Sequence, residues 1–222
     1  MNDVRVLNKV ADTSDKRAVT VRKKPVQSRS QMTLASLQEA FVQLLLERGY
    51  DKMTIREVAS VAGVGVGTMY DYMPNLKALA ASTIQKRCIE CAEILRTRIK
   101  ETSNQPARIV VNTMLKTLIE LGFARPSDWT ALLLLERQVS SPESLKNIHD
   151  TFVDIWADAF RNSSTQIPNA KIISIARMAH AISYGWYSHD LLFYQDDPLH
   201  SRSLEEIGYA IIGFVNSSSL RH

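Results

Sequence analysis

The chain has 222 residues, with Lys+Arg 27 against Asp+Glu 23, a net charge of +4 and 45% hydrophobic content. That length suits one large or two small domains, and the apolar content excludes a wholly disordered chain. Eight Gly and seven Pro exclude collagen-like sequence, and two Cys exclude a disulfide-rich secreted scaffold, favouring a reducing, cytoplasmic setting. No apolar run approaches the roughly 18 residues of a membrane helix, so no membrane partner is expected. The first 30 residues also lack the apolar centre of a secretory signal.

Charge is uneven along the chain. Residues 1–30 hold eight Lys/Arg against three Asp, a net of +5. Residues 31–78 are net −1, and residues 79–222 hold fifteen of each sign. The 1–30 segment has no aromatic residue and no sustained apolar period, which describes a basic, disordered arm. Such an arm either follows nucleic-acid phosphates or is a solvated tail.

After Pro25 the pattern turns helical. Leu34, Leu37, Phe41, Leu44 and Leu45 predict an amphipathic helix over 31–48, with Gly49 as a left-handed cap. Thr54 with Glu57 forms a capping box that opens a short helix ending near Gly63. A second short helix is expected over 66–72, stopped before Pro74, and a long one over 76–101 behind Asn75. Further helices are expected from Pro106 to Gly122, over 127–139, and from Ser141-Pro142 to 161. A polar loop over 162–169 precedes a helix over 170–193. Gln195-Asp196-Asp197-Pro198 breaks that helix, and a Ser203/Glu206 capping box opens the last one, to about 217. No segment alternates with period two between turn signals, so the fold class is all-α.

The two short helices around Gly63 form a helix-turn-helix. Ala59 is small where the second helix crosses the first, and Gly63 permits the positive φ of the turn. Val64 and Met69 give the second helix an apolar underside, leaving Gly65, Val66, Thr68, Tyr70 and Asp71 for its outer face. Spacing alone also fits an ordinary helix pair. The residues add more. Gly49-Tyr50, Thr54-Ile55-Arg56-Glu57-Val58-Ala59 and Ala62-Gly63-Val64-Gly65-Val66-Gly67-Thr68-Met69-Tyr70-Asp71-Tyr72-Met73 resemble, in order, the N-terminal pattern of the bacterial tetracycline-repressor (TetR) family of transcriptional regulators. The likeness covers residues 34–79.

The resemblance implies three segments: the arm 1–30, a three-helix DNA-binding domain 31–78, and a helical effector-binding and dimerisation domain 79–222. It implies that Thr68 and Tyr72 touch phosphates, that Val66, Gly67, Tyr70 and Asp71 face base edges, and that Arg56 reaches a base. An arginine fork on guanine discriminates by about 1–3 kcal/mol. There are departures. Gly65 stands where the pattern has a capping Ser, Leu76 stands in the usual Lys slot with Lys77 one later, and Met73 replaces Phe. Lys77 takes the phosphate role if the helix start shifts. The +5 arm supplies the missing electrostatics, on phosphate or in a minor groove.

For the later helices the resemblance implies a small-molecule effector and a homodimer on a palindromic operator of double-stranded DNA. The stripe Leu204, Ile207, Ile211, Phe214 and Val215 fits a dimer face as well as internal packing, with Ala176, Ala179, Ser183 and Gly208 small enough for close crossing. Trp129, Phe152, Trp156, Met178 and Tyr184, together with Phe160 and Tyr187, are candidates to line an apolar or aromatic effector site, or else are core. Glu136, His149 and His180 are its candidate polar groups. Cys88 and Cys91 share a helical face and are either buried structural thiols or a redox or electrophile sensor. The five histidines form no metal-ligand cluster in sequence, and no metal or cofactor is expected. G-x-S-x-G, P-loop, H-E-x-x-H and Rossmann glycine patterns are missing, which speaks against an enzyme. The rival class is a helical scaffold that binds protein.

Overall fold

The structure, a computed structural model, describes the backbone of residues 28–193 and 200–220. Residues 1–27 of the basic arm and the 195–198 break lie outside the described residues, whereas residues 28–30, expected in the disordered arm, are helical and open α1. Among those residues are nine helices and no strand: α1 Ser28–Arg48, α2 Ile55–Val61, α3 Val66–Tyr72, α4 Leu76–Glu101, α5 Ala107–Ala124, α6 Pro126–Val139, α7 Pro142–Arg161, α8 Asn169–Phe193 and α9 His200–Leu220. A single 3-10 turn, Tyr50–Lys52, joins α1 to α2. No helix among the described residues is long and apolar enough to cross a membrane.

The chain divides into two compact units. Met1–Arg87 with Ala131–Asn147 make the first, and Cys88–Thr130 with Ile148–His222 the second. In the first unit, Leu37, Phe41, Leu44 and Leu45 of α1, Val58 and Ala59 of α2, Met69 and Met73, and Leu79 of α4 are buried. Burying each large apolar side chain stabilises the unit by roughly 1.5–3 kcal/mol. Polar links then fix α1 against the start of α4. The buried Gln38 amide donates to Ser82 Oγ at 2.9 Å, and Arg87 pairs with Glu39 at 2.8 Å.

The second unit has a continuous core. Cys91, Leu95, Val110, Val111, Met114, Leu115, Val153, Trp156, Phe160, Ile172, Ile175, Ala176, Ile211 and Val215 contribute to it. Trp156 and Phe160 stack at 5.7 Å inside it. Leu204, Ile207 and Phe214 pack against the same core. The α9 stripe is therefore internal packing, not a free dimer face. Ala176, Ala179, Ser183 and Gly208 are likewise buried, and a Cβ on Gly208 would meet Asn112 Oδ1 at 2.9 Å. Their smallness serves crossings within the chain.

Two helix ends differ from expectation. Gly122 does not end α5, which continues to Ala124. A Cβ there would lie 2.6 Å from Tyr187 Oη, so this glycine admits a ring instead of capping a helix. The last helix starts at His200, so Ser203 lies inside it and is not its N-cap.

Candidate nucleic-acid interface

Local chemistry builds the helix-turn-helix. The Thr54 hydroxyl accepts from the Glu57 N–H at 3.3 Å, and Glu57 Oε2 accepts from the Thr54 N–H at 2.8 Å. This is the expected capping box. Glu57 Oε1 also accepts from Arg48 Nη1 at 2.8 Å, tying the end of α1 to the start of α2. These bonds, the Thr54 hydroxyl first, hold the Glu57 carboxyl below its ordinary pKa. Gly49 has φ +77° and Gly63 φ +68°, conformations L side chains rarely adopt. The Gly63 turn closes with Val64 N–H donating to Ala59 O at 2.9 Å. Ala59 is fully buried at the crossing of α2 and α3.

α3 has two distinct faces. Met69 is fully buried and Tyr72 keeps 7% of its surface. Gly65, Val66, Gly67, Thr68, Tyr70 and Asp71 are exposed, with Tyr70 at 43%. Arg56 on α2 and Lys77 on α4 are exposed too. With its neighbour Glu57 already bonded to Arg48 and Thr54, Arg56 makes no ion pair among the described residues. Tyr72 stands apart from the other eight interface candidates, because it is chiefly a core residue.

The departures from the pattern have structural consequences. Gly65 caps α3 in an extended conformation without a side-chain bond, so that N-terminus keeps one donor unsatisfied by the chain's own side chains. Asn75 caps α4, accepting from Ala78 N–H at 2.8 Å. The α4 start is therefore not shifted, and Lys77 sits at its second helical position.

The effector candidates occupy several local settings. Trp129 donates its indole N–H to Leu121 O at 3.0 Å and meets Tyr187 edge-on at 6.5 Å. Burial, then Cys91 and Cys88, raises the Tyr187 pKa well above the phenol range. Tyr187 stays a neutral phenol over the Gly122 backbone, a neighbour the sequence reading did not pair with it. Phe152 stacks on His180 at 5.7 Å, with Tyr184 5.8 Å from the same imidazole. Trp156 is only 2% exposed and is core. Met178 is 41% exposed. Glu136 is buried and belongs to the first unit. Cys91 is buried, and burial pushes its thiol up to about 12. A thiol so rarely ionised is structural, which removes Cys91 from the sensor reading.

Comparison with known proteins bears on the motif and the fold. Residues 38–82 match the family described as bacterial regulatory proteins, tetR family. Over 106 residues the chain is 27% identical to an HTH-type transcriptional regulator of Staphylococcus aureus, covering 47% of this chain and 54% of that protein. The match thus spans about half the length of this curated relative. Among solved structures, the fatty acid degradation regulator FadR from Bacillus halodurans gives a TM-score of 0.62 at 16% identity, over 81% of this chain and 97% of that one. SmeT, the repressor of the Stenotrophomonas maltophilia multidrug efflux pump SmeDEF, gives 0.61 at 16% identity, over 86% and 92%. A TetR-family transcriptional regulator from Streptomyces coelicolor gives 0.63 at 18% identity, over 84% and 99%. At such identities these three likenesses speak for the fold.

Proposed function

Because the chain belongs to the TetR family of bacterial regulatory proteins, we propose that it is a homodimeric transcriptional repressor, not an enzyme, that places α3 in the major groove of a palindromic operator. The observation that carries this reading is the two-faced α3: its inner side is locked by Met69 and Tyr72, while Val66 and Tyr70 stand 36% and 43% exposed. On the helix that the family pattern uses to read DNA, this open face is available to a duplex. Val66, Tyr70 and Asp71 then face base edges. Gly67 lets the backbone approach, and Arg56 reaches a base from α2. Thr68, the Gly65 end of α3 and the hydroxyl edge of Tyr72 meet phosphates, and the unshifted α4 start leaves Lys77 out of that set. Residues 31–78 act as the DNA-binding domain, 79–222 as the effector and dimer domain, and 1–30 as a phosphate-following arm. With DNA as its partner, the protein would work in the cytoplasm.

The dimer uses the outward face of α9. Tyr209 is 69% exposed, and the exposed Gly213 one turn later has open space where a side chain would be. A two-fold axis sets the two α3 helices about 34 Å apart, one DNA turn, hence the palindrome. The effector is a small apolar or aromatic molecule seated near Trp129 and Tyr187. It favours a conformation in which α4 moves the paired DNA-binding domains out of register.

Fluorescence anisotropy of labelled duplex against salt tests the function. Binding with log K falling linearly in log salt is the expected result. Deleting residues 1–28 lowers affinity and flattens the slope. Salt-independent or undetectable duplex binding favours the protein scaffold instead.

A further inference from the structure

His149 on α7 and His180 on α8 lie against each other in the second unit, ring centroids 4.8 Å apart and tilted by 57°. They are far apart in sequence, so no spacing rule joins them. His180 is buried, and its ring lies 7° from parallel with Phe152 at 5.7 Å. Tyr184, one turn along α8, closes its other flank at 5.8 Å. His149 is exposed. One imidazole is thus held by packing and the other opens to solvent.

We infer that the His149–His180 pair is a binding site for a late first-row divalent cation, copper, nickel or zinc, entered from the His149 side. The ring spacing supports this. Imidazole nitrogens bind such ions at about 2.0–2.1 Å. Ligand angles between tetragonal and tetrahedral then put two ring centroids about 4.5–5.2 Å apart. The observed separation falls inside that window. Imidazole is a ligand these ions accept readily, whereas magnesium and calcium seek oxygen. Both rings sit on helices, and the Phe152 stack fixes the inner one before any ion arrives. No cluster of three His, Cys or carboxylate groups occurs among the described residues, so water or a small ligand completes the coordination. The site is accordingly an open one.

Titration of the full chain with Cu2+ at pH 7, read by electron paramagnetic resonance, tests the site. The expected result is one ion per chain with a two-nitrogen hyperfine pattern, and a rise in melting temperature with Zn2+. His149→Ala changes an exposed residue and keeps the fold. It weakens Cu2+ affinity by at least about tenfold, removes one nitrogen from the spectrum and abolishes the Zn2+ shift. His180→Gln does the same, while His189→Ala, next to Phe193 on α8, binds as the parent does. Unchanged binding in His149→Ala overturns the assignment, as does equal loss in His189→Ala or no binding to the parent chain.

Discussion

Replacing Gly67 by alanine separates the stability of α3 from its use. Gly67 is the second residue of a seven-residue helix, exposed, with nothing within 4 Å of an added Cβ. Glycine inside a helix costs about 0.8–1.0 kcal/mol relative to alanine. Near a helix end the gain is smaller, so Gly67→Ala should stabilise by about 0.5–1 kcal/mol with no packing cost. For a chain of this size that raises the melting temperature by roughly 1–4 °C. The same methyl stands on the face proposed to lie closest to DNA, where Gly67 leaves room for the backbone. Duplex affinity should therefore fall at least about tenfold, or 1.4 kcal/mol, as stability rises. Calorimetric melting and anisotropy on one preparation read both quantities. A lower melting temperature refutes the open-space argument, and unaltered affinity refutes the placement of α3 against DNA.

Three further outcomes follow from the packing and the titrating groups. Gly122→Ala pushes a methyl to 2.6 Å from Tyr187 Oη, beside the Trp129 ring. It should destabilise by about 1–3 kcal/mol in urea unfolding, and Tyr187→Leu in the same chain should restore part of the loss. Glu57 has a lowered carboxyl pKa, so its stabilising effect is present above the unfolded carboxylate pKa and is lost as pH falls through the folded value. Glu57→Gln should therefore be less stable than the parent at pH 7, with the two melting temperatures converging in acid. A constant gap would show that the charge is not what matters. Cys91, with its thiol pushed up to about 12, should resist iodoacetamide at pH 8 in the folded chain and react after denaturation. Peptide mass mapping reads the difference.

The parts of the fold legible in the sequence are those fixed by local chemistry. The Thr54–Glu57 box, the positive φ of Gly63 and the stop before Pro74 act within a few residues, and α2, α3 and α4 lie where these signals put them. Two signals mislead, one overruled by a distant ring and one as local as the Thr54–Glu57 box. Gly122 reads as a helix end until Tyr187 is seen above it, and Ser203 reads as a cap although α9 already begins at His200. The exposed face of α3 is legible because exposure follows helical period once the buried Met69 is identified. The effector candidates were less so. Aromatic composition cannot tell the buried Trp156 from the Trp129–Tyr187 contact, nor bring His149 beside His180 from another helix.

The most direct test of the account is selection of bound sequences from a random duplex pool, run with the parent chain and with the Arg56→Ala, Tyr70→Ala double variant. Both residues are exposed, so the variant keeps its core. An enriched palindrome is expected for the parent chain, with half-sites one helical turn or a multiple apart, and its loss in the variant. No enrichment, or the same palindrome from both proteins, would contradict the assignment of α2 and α3 as the reading surface.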